Sequence, residues 1–122
     1  MANKNNTSFP SCTVTITLTP EARNFLAGTT AGVSHFAIYN DLLDNMAIVD
    51  TSFSKRGNIV PLLTGQAESS AHSMSERWKL GRKSMVRILS TMDDLGIIRL
   101  HTSRLASISD MLSVDKCQTN DG

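Results

Sequence analysis

The sequence predicts a mainly α fold with a small β-hairpin, and three observations predict it. Apolar residues recur at steps of three and four across residues 35–48 and again across 82–95, the spacing of a helix packed on one side. The interruption Lys79-Leu80-Gly81 separates the second run from an apolar-faced segment just before it, leaving room only for a tight corner between two helices. Beyond Gly96, the runs Ile97-Ile98-Arg99-Leu100 and Leu105-Ala106-Ser107-Ile108 flank the polar tip His101-Thr102-Ser103-Arg104, which is the layout of a hairpin.

The chain has 122 residues, 40% of them hydrophobic, enough for one modest core. A single domain over residues 13–114 is expected, with disordered tails at 1–12 and 115–122. Residues 1–12 are polar, rich in Asn and Ser and broken by Pro10. Thr13 to Leu18 alternates β-branched polar with apolar residues, the pattern of a half-buried edge strand. Thr19-Pro20-Glu21 then supplies an N-cap, a proline at the first helical position and an acid in the first turn, so a short helix runs to about Ala27.

Ser34 caps the next helix, of about residues 35–48, with Phe36, Tyr39, Leu42, Leu43 and Met46 on its apolar stripe. Residues 50–58 are polar and read as a loop or hairpin that contains Lys55-Arg56-Gly57-Asn58. They lead into a strand at 59–63, where Pro61 cannot donate to a ladder and so demands a sheet edge.

Ser70 caps a scaffold helix at 70–78 that places Ala71, Met74 and Trp78 on one face. In the helix at 82–95, Met85, Ile88, Leu89, Met92 and Leu95 form the buried stripe, and Arg82, Lys83, Ser84 and Arg87 fall mainly outside it. Gly96 is the C-cap, and the hairpin occupies about 97–109. Helix, tight turn, helix and β-hairpin in that order make a winged helix-turn-helix.

Charge is distributed unevenly. The net charge is +1, yet residues 76–104 hold seven basic residues (Arg77, Lys79, Arg82, Lys83, Arg87, Arg99, Arg104) against three acidic ones. The local excess of +4 leaves −3 for the remainder, the footprint of a local rather than a global polyanion-binding surface. The only two cysteines, Cys12 and Cys117, lie near opposite ends without metal-ligand neighbours, which fits a reducing, cytoplasmic setting. No run approaches the roughly 18 apolar residues of a membrane helix.

Catalytic chemistry finds no foothold. His35, His72 and His101 are dispersed, no HExxH spacing occurs, and Asp41 and Asp44 read as solvated residues of a polar helix face. Neither a phosphate loop nor a nucleophile elbow is present. The chain is therefore expected to be no enzyme and to need no cofactor and no metal.

The residues from Met74-Ser75-Glu76-Arg77-Trp78 through Lys79-Leu80-Gly81 to Arg82-Lys83-Ser84-Met85-Val86-Arg87-Ile88-Leu89, with Met92-Asp93-Asp94-Leu95-Gly96-Ile97-Ile98 after them, carry a resemblance. They resemble the winged-helix pattern of bacterial transcription regulators and of phage-type or mobile-element replication proteins. The resemblance implies double-stranded DNA as the partner. It puts Trp78 at the end of the scaffold helix, Leu80 at the buried turn position, and Arg82, Lys83, Ser84 and Arg87 toward the groove. Two positions depart from the pattern: Lys79 stands where the turn usually has Gly, and Gly81 where Ser or Thr usually caps.

Groove chemistry suits these residue types. An α-helix fits the major groove, where Arg and Lys donate to guanine O6 and N7 and a hydroxyl serves either way. Arg82, Lys83 and Ser84 sit at the positive end of the helix dipole. Arg99 and Arg104 on the hairpin are candidates for phosphate or minor-groove contact, and Lys79 at the corner is a further DNA-binding candidate. Residues 13–48 exceed what such a unit needs and are the candidate surface for a homodimer. The rival reading is a protein–protein module of a replication or transfer complex, since the fold alone does not dictate DNA binding.

Overall fold

A computed structural model describes residues 12–119. Among these residues, four helices and nine strands in four small antiparallel sheets give nearly equal shares of helix and strand, which overturns the expectation of a mainly helical chain. Thr29–Thr30 (β2), Val33–Ser34 (β3) and Gln66–Glu68 (β6) are too short to show a period in the sequence. Thr51–Lys55 (β4) holds a single apolar residue, Phe53, and realises the hairpin rather than the loop allowed for residues 50–58.

The C-terminal end needs a second correction. Of the two expected tails, residues 1–11 and 120–122 lie outside the described residues, but Val114–Thr119 forms a strand (β9) antiparallel to Cys12–Ile16 (β1). Its sequence, Val-Asp-Lys-Cys-Gln-Thr, reads as a polar tail because only Val114 and Cys117 pack against the core, while pairing with β1 holds the rest. The Thr17 hydroxyl also bonds the Asp115 carboxylate.

Three helices start where their caps predict. Thr19, Ser34 and Ser70 accept from the backbone N–H three residues on, at 3.1, 3.1 and 3.2 Å, and open Pro20–Leu26 (α1), His35–Asp44 (α2) and Ala71–Trp78 (α3). Helix α2 stops at Asp44 rather than near 48. The Ala47 N–H bonds the Gln66 carbonyl and the Gly65 N–H bonds the Ala47 carbonyl, both at 2.8 Å, so this segment pairs with the chain at the start of β6.

The fourth helix, Arg82–Asp94 (α4), is followed by Leu95 as its C-cap and by Gly96, whose φ of 75° lets the Ile97 N–H reach back to the Met92 carbonyl at 2.9 Å. Strands Arg99–Thr102 (β7) and Ser107–Asp110 (β8) follow as a hairpin, and β6 pairs with the other edge of β8, giving the order β6-β8-β7. The expected strand at 59–63 is Asn58–Leu62 (β5), and it pairs with β4, not with this sheet.

One core binds the elements together. Ala22 and Leu26 of α1, Ile38, Tyr39 and Leu42 of α2, Met74 of α3, and Met85, Ile88, Leu89 and Met92 of α4 are all buried in it. The apolar side chains of 13–48 thus largely serve the chain's own interior, and Phe36, expected on the buried stripe, is 49% exposed.

His35, which the sequence shows only as one of three dispersed histidines, is buried instead. Its Nδ1 donates to the Phe25 carbonyl at 2.8 Å, which leaves Nε2 to accept from the Thr30 hydroxyl at 2.7 Å in the neutral ring. Phe25 stacks on that ring at 4.2 Å. Deeper in, the Tyr39 and Ser113 hydroxyls share a buried hydrogen bond of 2.6 Å, and burial pushes the phenol pKa up.

Candidate nucleic-acid interface

The corner between α3 and α4 is built from the two positions that depart from the resembled pattern. Lys79 adopts φ 56° and ψ 43°, and the Leu80 N–H turns back to the Ser75 carbonyl at 3.0 Å. A lysine thus accepts a left-handed conformation that costs an L-residue about 1–2 kcal/mol. Gly81 starts α4 in an extended conformation without a side-chain cap, so the first N–H groups of α4 have no such acceptor.

On α4 the burial of Met85, Ile88, Leu89 and Met92 dictates what faces outward. Arg82, Lys83, Val86, Arg87 and Ser90 are exposed and line one shallow surface. Ser84, expected with them, is half-buried at the flank of this face. Val86, 46% exposed among four polar neighbours, is a residue sequence reasoning missed, although its spacing from Arg82 and Ser90 carries the signal. Asp93 and Asp94 lie at the opposite end of the helix.

The hairpin tip is held by Ser103. Its backbone N–H bonds the Ala106 carbonyl at 2.9 Å, and its hydroxyl accepts from the N–H groups of Leu105 and Ala106, both at 3.2 Å. Arg104 projects from this tip and shares a cleft with Arg82, so the hairpin tip and the start of α4 form one surface. Arg99 is exposed too, but it sits at the other end of β7, opposite Asp110. There the Asp110 carboxylate accepts from His101 Nε2 at 2.9 Å and from Gln66 at 2.8 Å. The His101 bond is the main reason that its pKa falls below the ordinary carboxylate range, with Gln66 and the charge of Arg99 adding to it against desolvation.

Arg77 leaves the expected footprint. Its guanidinium turns to Asp41, so Asp41 is no solvated acid but the tether between α2 and α3. Lys79 remains exposed at the corner. Sequence reasoning also passed over Lys55 and Arg56, whose hairpin faces the Arg104 tip across the same cleft.

Among the described residues, no group of three or more His, Cys, Asp or Glu side chains could hold a metal ion, and no helix is long and apolar enough to cross a membrane. Comparison of the chain with known protein families, curated proteins and solved structures finds no match.

Proposed function

We propose that the chain binds double-stranded DNA, with the exposed face of α4 in the major groove and the β7–β8 tip along the backbone. The observation that carries this reading is the α4 surface itself: three cations, an apolar side chain and a hydroxyl with no carboxylate among them. Arg and Lys donate to guanine, Ser bonds either way, and Val packs against a thymine methyl, so the surface has the chemistry to discriminate base pairs. Arg104 adds a sequence-independent charge. A role as a small bacterial regulator or an accessory factor of a mobile element follows from the resemblance of residues 74–98. Paired half-sites in the preferred sequence would call for a second copy, with residues 13–48 as its proposed contact.

Selection from random duplexes tests the reading. An enriched motif is expected, on which Arg87→Ala binds about 1–3 kcal/mol more weakly with an unchanged melting temperature. Absence of binding even at low salt would contradict it and favour a protein-docking role.

A further inference from the structure

The β4–β5 hairpin lies outside the helix-turn-helix segment, yet it forms one wall of a cleft of about 460 Å³ whose other side is the β7–β8 tip. Lys55 and Arg56 come from the first hairpin, Arg104 from the second and Arg82 from the start of α4, and no lining residue is acidic. The four cations differ in their engagement. Lys55 is tied to Glu68 at 2.7 Å and so fastens the hairpin to β6. Arg56, Arg82 and Arg104 are exposed and form no ion pair among the described residues. Hydroxyls of Ser73 and Thr102 add neutral donors. An open, cationic, hydroxyl-bearing concavity suits phosphodiester groups rather than an apolar ligand.

The position of Arg56 strengthens this. Arg56 and Gly57 form the two-residue turn between Lys55 and Asn58, with φ of 52° and 80°. A turn with two positive φ values favours Asn, Asp or Gly at its first position, so an arginine there is disfavoured by the backbone. Its side chain is exposed, and packing gives no reason for it.

We propose that the β4–β5 hairpin is a second basic arm, so that one sugar–phosphate strand of the duplex runs between the two hairpin tips and is held by Arg56, Arg82 and Arg104. This rests on the DNA reading of α4 and extends it to a part of the chain that the helix-turn-helix resemblance does not cover.

The test uses the full chain carrying Arg56→Asn, a substitution that removes the charge and suits the turn. Binding to two unrelated duplexes is followed by fluorescence anisotropy from about 50 to 200 mM salt. Loss of one phosphate contact should reduce the slope of log K against log salt by about one unit on both duplexes. The advantage of the wild type should then shrink about threefold across that range, while the melting temperature stays level or rises. An unchanged slope for Arg56→Asn, with Arg87→Ala still weakening binding to the selected site, would overturn the second arm and leave the α4 reading standing. A loss confined to one duplex would overturn it too, since backbone contacts do not sense sequence. Displacement of the duplex by millimolar inorganic phosphate in the wild type but not in Arg56→Asn would mark a free-anion site instead. If the wild type binds neither duplex, both readings fall.

Discussion

Trp78 Nε1 donates to Asp41 Oδ2 at 2.9 Å, and the same oxygen accepts from Arg77 Nη2 at 2.8 Å and Nε at 3.1 Å. One carboxylate oxygen thus fixes the last turn of α3 against α2, and through α3 it fixes the corner from which α4 departs. Asp41→Ala should cost about 1–3 kcal/mol, because it leaves the half-buried indole N–H unpaired. Trp78→Ala should cost about 3 kcal/mol, the low end for losing a large aromatic, since the ring is only half-buried. Arg77→Ala should cost less than about 1 kcal/mol, because its side chain is 50% exposed. Urea denaturation of the three variants checks the order, and a dominant effect of Arg77 would refute it.

Lys79 offers a way to separate stability from binding. Lys79→Gly relieves the left-handed conformation at φ 56° and should raise stability by about 0.5–1 kcal/mol, once the greater freedom of unfolded glycine is set against it. The same change removes a positive charge at the corner and should weaken duplex binding at low salt. Thermal melting and anisotropy on one preparation decide the matter. A fall in melting temperature would mean that the Lys79 side chain supports the corner.

Asp110 gives the pH dependence its sign. Its carboxyl titrates below the ordinary range, chiefly through the His101 hydrogen bond, so the folded state holds its proton less tightly than the unfolded chain does. The stabilisation is present above the unfolded pKa of about 4 and is lost as pH falls through the lower folded value. Asp50, whose pKa is lowered by the Thr64 backbone and hydroxyl, acts in the same direction. The melting temperature should therefore drop between about pH 5 and pH 3, and Asp110→Asn should flatten part of that drop. An equally steep profile in the variant would remove Asp110 from the cause.

Much of α1, α3 and α4 was legible because each helix has a capping residue, an apolar stripe or both. The cap at Ser34 located α2 as well, and Tyr39, Leu42 and Met46 of the stripe assigned to it are buried, whereas Phe36 is exposed and His35, with both ring nitrogens hydrogen-bonded, is buried. The sheets were legible only in part. Alternation located β1, and short apolar runs located β5 and the β7–β8 hairpin, whereas β2, β3 and β6, of two or three residues, leave no periodic trace, and β9 is recognisable only beside β1, about a hundred residues away. For the candidate site, Arg82, Lys83 and Arg87 were readable from helical spacing alone, whereas the approach of Arg56 to Arg104 depends on tertiary packing.

The hairpin separates two arginines that the sequence treats alike. Arg104 lies at the tip in the basic cleft, and Arg99 lies opposite Asp110 at the far end of β7. Arg104→Ala should reduce the salt slope by about one unit on specific and unrelated duplexes alike, and Arg99→Ala should change it by clearly less. Equal slopes for the two variants would show that position along β7 does not govern contact with the backbone.

The α4 surface is tested most directly by the triple variant Arg82→Ala, Lys83→Ala, Arg87→Ala on the selected duplex at about 100 mM salt. All three side chains are exposed, so folding should survive, as melting would verify. The two base contacts of Lys83 and Arg87, about 1–3 kcal/mol each, together with the phosphate contact of Arg82, imply a loss of affinity of at least about 30-fold. A triple variant that melts normally and binds the duplex as tightly as the wild type would contradict the assignment of α4 to the major groove.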